Sequence, residues 1–305
     1  MIDVSNKITT LRSAKAEGYI KLKKEIIQKV LNNEIEKGDV FEVSRVAGIQ
    51  AAKKTSELLI FCHNLPLEWV DLDFNVEEDQ IRVTSEAVAI SRTGVEMEAL
   101  TATGTALLNI YDMLKPYDKE MEIRSIRLLE KKGGKSDYED KFDHPVKAAL
   151  IRISDGVADG SRDDNSTSAV EKILSHHSVD VVHRDVIRSE ENLIREMLTK
   201  LADGNEYHFI FTIGATGLGD GNLVSEITEN LVDYEIPGIA EAMRGFGRER
   251  TPYAIYSRIT AGVRGETIII NLPGSSRGAT ESVHALFPGL KHALLMMNKG
   301  KLRKI

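Results

Sequence analysis

The chain has 305 residues, of which 42% are apolar and 29% charged, enough for sizeable buried cores and, by length, for two domains. A formal net charge of −7 excludes a general attraction to nucleic acid or anionic membrane, so any phosphate chemistry must rest on local clusters of cations. No apolar run approaches the ~18 residues of a membrane span, the start lacks a signal pattern, and a lone Cys62 excludes an intrachain disulfide, so a cytoplasmic protein is expected.

In chain order, Lys37-Gly38 comes first, just ahead of a helix start, where free backbone amides favour anions. Lys37 can hold a phosphate or give up a proton there, although a lysine in that place is usually only solvated. Asp39 is a good capping residue, and Val40, Val43, Ala47, Ala51 and Leu58 follow it at helical spacing. Cys62-His63 emerges from the apolar Leu58-Leu59-Ile60-Phe61. Val70, Leu72, Phe74 and Val76 alternate with Asp71, Asp73 and Asn75, and an acidic turn leads into Ile81-Arg82-Val83, which predicts a hairpin. A long helix runs from Met97 to Leu114, and Glu122 to Glu130 reads as a strand. Helix, hairpin, long helix and strand in succession suggest an α+β domain with helices over one face of a sheet.

Lys131-Lys132-Gly133-Gly134-Lys135 places three cations around two flexible glycines, a shape suited to a triphosphate and equally to a solvated tail. Residues 137–145 are polar, charged and end in Pro145, so they read as a linker between domains 1–136 and 146–305. From Val146 onward apolar strands alternate with helical segments: a strand through Ile153, then Val170 to His176, Val179 to Val186, Glu190 to Leu201, and a strand from His208 to Ile213. Such alternation predicts an α/β domain with a doubly wound, mostly parallel sheet. Gly214-Ala215-Thr216-Gly217-Leu218-Gly219 and Pro273-Gly274-Ser275-Ser276 each follow a strand, where backbone amides can cradle an anion or simply make a turn.

The long helix carries the most specific chemistry. Glu96, Glu98, Asp112 and Lys115 punctuate an otherwise apolar segment. A glutamate near a helix start often serves only the helix dipole, and Asp112 with Lys115, three apart, is the spacing of a plain ion pair. Glu98 and Asp112 are fourteen residues apart, roughly 21 Å along one continuous helix. Either the Glu-Met-Glu element lies in a turn before the helix, or two copies of the chain bring opposite ends of this segment into one shared site.

The ordered set of Met1-Ile2-Asp3-Val4-Ser5 with Arg12, Lys37-Gly38-Asp39-Val40, Ala47 to Lys53, Cys62-His63, Gly94 to Leu100, Ile110-Tyr111-Asp112-Met113 with Lys115, and Arg127 to Ser136 resembles the MoaC family of cyclic pyranopterin monophosphate synthases. The resemblance implies a ferredoxin-like α+β domain in a hexamer built of dimers, with the site at a subunit interface. It implies conversion of a cyclic guanosine-derived triphosphate, (8S)-3',8-cyclo-7,8-dihydroguanosine 5'-triphosphate, into cyclic pyranopterin monophosphate with release of diphosphate. By matching position, Lys37, Asp112 and Lys115 are the acid-base group. Phe61, Cys62, His63, Glu96 and Met97, with Glu98 close by, contact substrate, and Arg12, Lys131 and Lys135 take its phosphates. A lysine crowded by positive neighbours is expected to have its pKa lowered toward neutrality. The family usually has Leu at Phe61 and Pro at Asn64.

Residues 146 to about 298 resemble the MoaB/MogA molybdopterin-binding domain, whose members adenylylate molybdopterin with MgATP and form trimers. Gly214, Thr216, Gly217, Gly219, Asn222, Gly274, Ser275 and Ser276 are the implied pterin- or nucleotide-binding residues. Two expected aspartates fall on Asn222 and Ser189, which weakens magnesium-dependent adenylyl transfer because hard cations need charged oxygens, with compensation by Asp220 through a local shift as the alternative. Pterin or nucleotide binding is expected here, with a non-catalytic scaffold and a fully bifunctional enzyme as alternatives. No tightly bound cofactor or protein-held metal is implied; magnesium can accompany the triphosphate or nucleotide. The expected partners are a small-molecule nucleotide or pterin and further copies of the chain, not nucleic acid or membrane.

Overall fold

The computed structural model describes residues 1–297; residues 298–305, the end of the second predicted domain, lie outside the described residues. The chain forms two compact units, Met1–Asp137 and Tyr138–Ile305.

In the first unit, β1 (Thr10–Lys21) is followed by α1 (Lys24–Leu31) and α2 (Val40–Lys53), the hairpin of β2 (Trp69–Val76) and β3 (Gln80–Ser91), then α3 (Glu96–Leu114) and β4 (Glu122–Lys132). The strands lie in the order β2-β3-β1-β4 and every neighbouring pair is antiparallel. This is the β-α-β-β-α-β arrangement of a ferredoxin-like domain, with α1 and α2 standing where one helix would suffice. The central strand β1 is absent from the sequence expectations. Its inward residues include Ala14, Ala16 and Gly18 as well as Ile20, too small to register as an apolar alternation.

The predicted face of α2 needs correction. Val43 and Leu58 are exposed, and the helix ends at Lys53; the buried stripe is Val40, Ser44, Gly48, Ala51 and Ala52. Small residues are selected because α3 passes close by: a Cβ on Gly48 would lie 3.0 Å from the Ala102 carbonyl oxygen and 2.6 Å from Leu72. In α3 the buried stripe from Ala99 through Ala102, Thr103, Ala106, Leu107 and Ile110 to Leu114 recurs at three- and four-residue steps. Fully burying Leu107, Ile110 and Leu114 contributes about 1.5–3 kcal/mol each. At the end of β4, Gly133 has φ +86° and a Cβ there would sit 1.8 Å from the Leu11 carbonyl oxygen, so this turn requires glycine.

The second unit contains β5 (Val146–Ile153), α4 (Asn165–His176), β6 (Val179–Ile187), α5 (Glu191–Asp203), β7 (Phe209–Ile213), α6 (Val224–Glu229), β8 (Tyr234–Glu235), α7 (Pro237–Arg248), β9 (Ala261–Arg264), β10 (Thr267–Leu272) and α8 (Ser276–Leu286). The sheet order is β6-β5-β7-β10-β9-β8; the first four strands are parallel and β9 and β8 add antiparallel at one edge. Buried side chains form two clusters. One joins β5, β7 and β10 to α4, α7 and α8, and the other joins the same strands to α5 and α6. Both faces are therefore covered, which explains why Ala148 to Ile151 and Phe209 to Ile213 read as continuous apolar runs. Phe142 packs against the first cluster.

Candidate functional site

Asp112 lies in the last turn of α3 and Lys115 caps that helix. Lys37 approaches from the turn before α2, where Gly38 takes φ +98° and the Asp39 side chain accepts from the amides of Phe41 and Glu42 at 2.9 and 3.1 Å. Lys37 Nζ donates to Asp112 Oδ2 and to the Asp112 carbonyl, both at 2.8 Å, and Lys115 Nζ donates to Asp112 Oδ1 at 2.6 Å. Each carboxylate oxygen thus holds one ammonium, and both cations sit at the negative end of the helix dipole. The hydrogen bonds from Lys115 and then Lys37 hold the Asp112 carboxyl down at about 2. The same carboxylate raises Lys115. The expected lowering of a lysine toward neutrality is therefore overturned for Lys115 in the single chain: the hydrogen bond and charge of the carboxylate outweigh the opposing effect of burial.

The other predicted contacts gather at the opposite end of α3. Phe61, Cys62, His63, Glu96, Met97 and Glu98 line a cavity of about 660 Å³ that is also bounded by Ile2, Val4 and Lys7. Glu98 is 4% exposed, and burial pushes its carboxyl up, helped by Glu96. Burial, then the charge of Glu98, raises the Cys62 thiol. His63 Nε2 hydrogen-bonds the Ile2 carbonyl at 2.9 Å, and the Phe61 ring is 75% exposed. Lys131 Nζ stands 3.4 Å from Glu96 Oε1. Arg12 is buried, donating from Nε to the Ser91 carbonyl at 3.3 Å, while its Nη1 faces Gly134. Lys135 opens a short helix directly after that turn. The Glu-Met-Glu element belongs to α3 itself, so of the two arrangements the sequence allowed, the turn before the helix is excluded. Lys7 was missed; its only signal was its nearness to the Met1–Ser5 run.

In the second unit the glycine-rich loops meet at the carboxyl ends of β7 and β10. Gly214 has φ +111°, and a Cβ there would lie 2.3 Å from the Ile153 carbonyl oxygen. Asn222 braces its loop: Oδ1 accepts from the Gly217 amide at 3.1 Å and Nδ2 donates to the Gly219 carbonyl at 2.9 Å. Ser189 Oγ donates to the Gly221 carbonyl, and Ser275 accepts from the Gly278 amide at 3.1 Å to cap α8. Thr216 is buried, and Ser276 Oγ donates to the Asn165 carbonyl at 3.4 Å.

The MoaC family model matches residues 1–134, and that of a probable molybdopterin binding domain matches residues 149–292. A molybdenum cofactor biosynthesis bifunctional protein of Chlorobaculum tepidum is 37% identical over 297 residues, 97% of this chain and 94% of the relative. The chain belongs to this bifunctional molybdenum cofactor biosynthesis family. A member from Synechococcus elongatus is 36% identical, covering 97% of each chain. A probable cyclic pyranopterin monophosphate synthase of Sulfurisphaera tokodaii is 53% identical over 138 residues, 43% of this chain and 91% of that one.

Asn222 and Ser189 offer a divalent cation no carboxylate in the second unit. The two positions where carboxylates were expected carry a neutral amide and a hydroxyl, both already engaged in bracing loops. Among the described residues, no group of three or more His, Cys, Asp or Glu side chains is placed to hold a metal ion. No described helix is long and apolar enough to cross a membrane.

Proposed function

We propose that the first unit is a cyclic pyranopterin monophosphate synthase, which rearranges a cyclic guanosine-derived triphosphate into cyclic pyranopterin monophosphate and releases diphosphate. The observation that carries this reading is the Asp112 carboxylate held between Lys37 and Lys115, drawn from separate parts of the chain. A surface ion pair needs only Asp112 and Lys115; the turn that delivers Lys37 serves no such purpose. At neutral pH Asp112 is ionised and Lys115 is an ammonium, and each shift runs away from neutrality, so bound substrate has to separate the pair before either group exchanges a proton. Opening a purine-derived ring and closing a cyclic phosphate both need such timed transfers. Arg12, Lys131 and Lys135 take the phosphates, and the cavity at the head of α3 holds the rest of the substrate. Magnesium accompanies the triphosphate.

The acid-base group and the cavity lie at opposite ends of one helix, so the complete site requires a second copy of the chain, within a hexamer built of dimers. We assign the second unit to binding a pterin or nucleotide, without strong adenylyl transfer because of Asn222 and Ser189, and the protein to the cytoplasm. Lys37→Ala and Lys115→Ala are each expected to lower product formation about 10²–10⁴-fold with assembly intact and only a small loss in melting from the weakened Asp112 pair. Near-normal turnover in either variant would remove these residues from the chemistry.

A further inference from the structure

We propose that Arg152 is the charge contact for a phosphate group in the second unit's crevice, where it takes the place of a divalent cation. This rests on the reading of that crevice as a pterin or nucleotide site. Strand order reverses between β5 and β7, the position at which open parallel sheets receive ligands, and Arg152 is the penultimate residue of β5. It faces the α4 and α8 layer, as Leu150 does. Its Nη1 donates to the Ile213 carbonyl at 3.1 Å and the Gly274 carbonyl at 3.0 Å, so the guanidinium lies between the two glycine-rich loops. A Cβ on Gly214 or Gly274 would come within 3.3 or 3.8 Å of that nitrogen.

The cation is under-compensated. Arg152 is 8% exposed, and its buried Nε has no hydrogen-bond partner. The nearest carboxylate oxygen, Asp164 Oδ1, is 3.8 Å away and already caps α4 by accepting from the Ser166 and Thr167 amides. Arg162 adds positive charge that opposes Arg152, and Asp155 Oδ1 is occupied by the Ser189 amide at 2.9 Å. A buried cation so placed gains from an incoming anion.

Two helix ends supply more positive potential at the same place. Ser166, in the first turn of α4, donates to the Gly274 carbonyl at 3.2 Å, and Ser276, the first residue of α8, donates to the Asn165 carbonyl. The amino ends of α4 and α8 therefore converge beside the guanidinium, each favouring negative charge. The ligand class is a phosphate monoester or polyphosphate bound without a bridging metal.

The test is calorimetric titration of ATP into the full chain carrying Lys131→Ala and Lys135→Ala, which removes two of the three phosphate contacts of the first unit. Titrations run in EDTA and in magnesium. Binding is expected in EDTA, weakened at least about tenfold by Arg152→Met and less by Arg152→Lys. Asn222→Asp, which keeps the Gly217 bond and gives up the Gly219 bond on a partly exposed loop, is expected to weaken binding in EDTA and recover it with magnesium. Binding that needs magnesium before any Asn222 change, or that ignores both Arg152→Met and Asn222→Asp, would overturn the role of Arg152 and leave nucleotide binding standing. No ATP binding under either condition would overturn both.

Discussion

If one substrate must reach both ends of α3, each catalytic unit is assembled from two chains, and disabled chains can rescue one another. Glu98 and Asp112 are fourteen residues apart on a single helix, about 21 Å at about 1.5 Å per residue. Proton transfer works over about 3 Å, so Asp112 of one chain cannot act on a group held beside Glu98 of the same chain. One parent carries Lys115→Ala; the other carries His63→Ala with Glu96→Gln, which disables the cavity end. Each parent alone is expected to be nearly inactive. Random pairing of equal amounts makes about half of all dimers mixed, and each mixed dimer has one intact site and one doubly disabled site. Product formation from the cyclic triphosphate is therefore expected to return to about a quarter of the wild-type rate per chain. Two affinity tags establish that mixed oligomers have formed. If mixed oligomers are recovered and activity stays at the sum of the parents, the site lies within one chain and the shared-site reasoning is wrong.

Asp112→Asn is expected to lower turnover by a similar factor to the lysine variants. Because the folded-state carboxyl is depressed from 3.8 to about 2, its contribution to stability is present above 3.8 and is lost as pH falls through about 2. Melting of wild type and Asp112→Asn should converge across that window. Glu98 behaves oppositely: burial raises its carboxyl above 4.5, so its influence favours folding below 4.5 and that advantage disappears as pH rises through the folded value. Glu98→Gln should therefore melt higher than wild type at neutral pH and match it in acid; a lower melting point at neutral pH would mean that the charged form is held by contacts worth more than its burial. Leu107→Ala, at a fully buried position against Gly18, should destabilise the first unit by about 2–5 kcal/mol in chemical denaturation.

Legibility in the sequence followed side-chain size and locality. The long helix, the hairpin and the strands of the parallel sheet announced themselves through Leu, Ile, Val and Phe at regular spacing. β1 did not, because Ala14, Ala16 and Gly18 leave room for α3 rather than filling space themselves. The face of α2 was misjudged for the same reason: close helix approach selects Ser44 and Gly48, and Val43 turns outward. The acid-base group was half visible, since Asp112 and Lys115 are three apart, while Lys37 lies 75 residues away and joins them only through the fold. Arg152 was invisible as a site residue because it follows the apolar run Ala148 to Ile151, and nothing local distinguishes it from a strand-end arginine reaching water.

The substitutions in the second unit bear on whether its crevice has decayed. Asparagine has nearly the shape of aspartate, and Asn222 Oδ1 accepts the Gly217 amide as a carboxylate oxygen would, while Nδ2 gains the Gly219 carbonyl. Ser189 likewise holds the neighbouring turn through Gly221. The loop is therefore braced at both positions while two negative charges are absent. Drift in an unused site would be expected to erode the brace along with the charge, because a neutral residue of any shape would remove the carboxylate. Keeping the brace and dropping the charge lowers the negative potential around Arg152, whose burial makes it sensitive to every nearby carboxylate. On the proposed reading of the crevice, that combination favours an anion met directly by the guanidinium over one bridged by a cation.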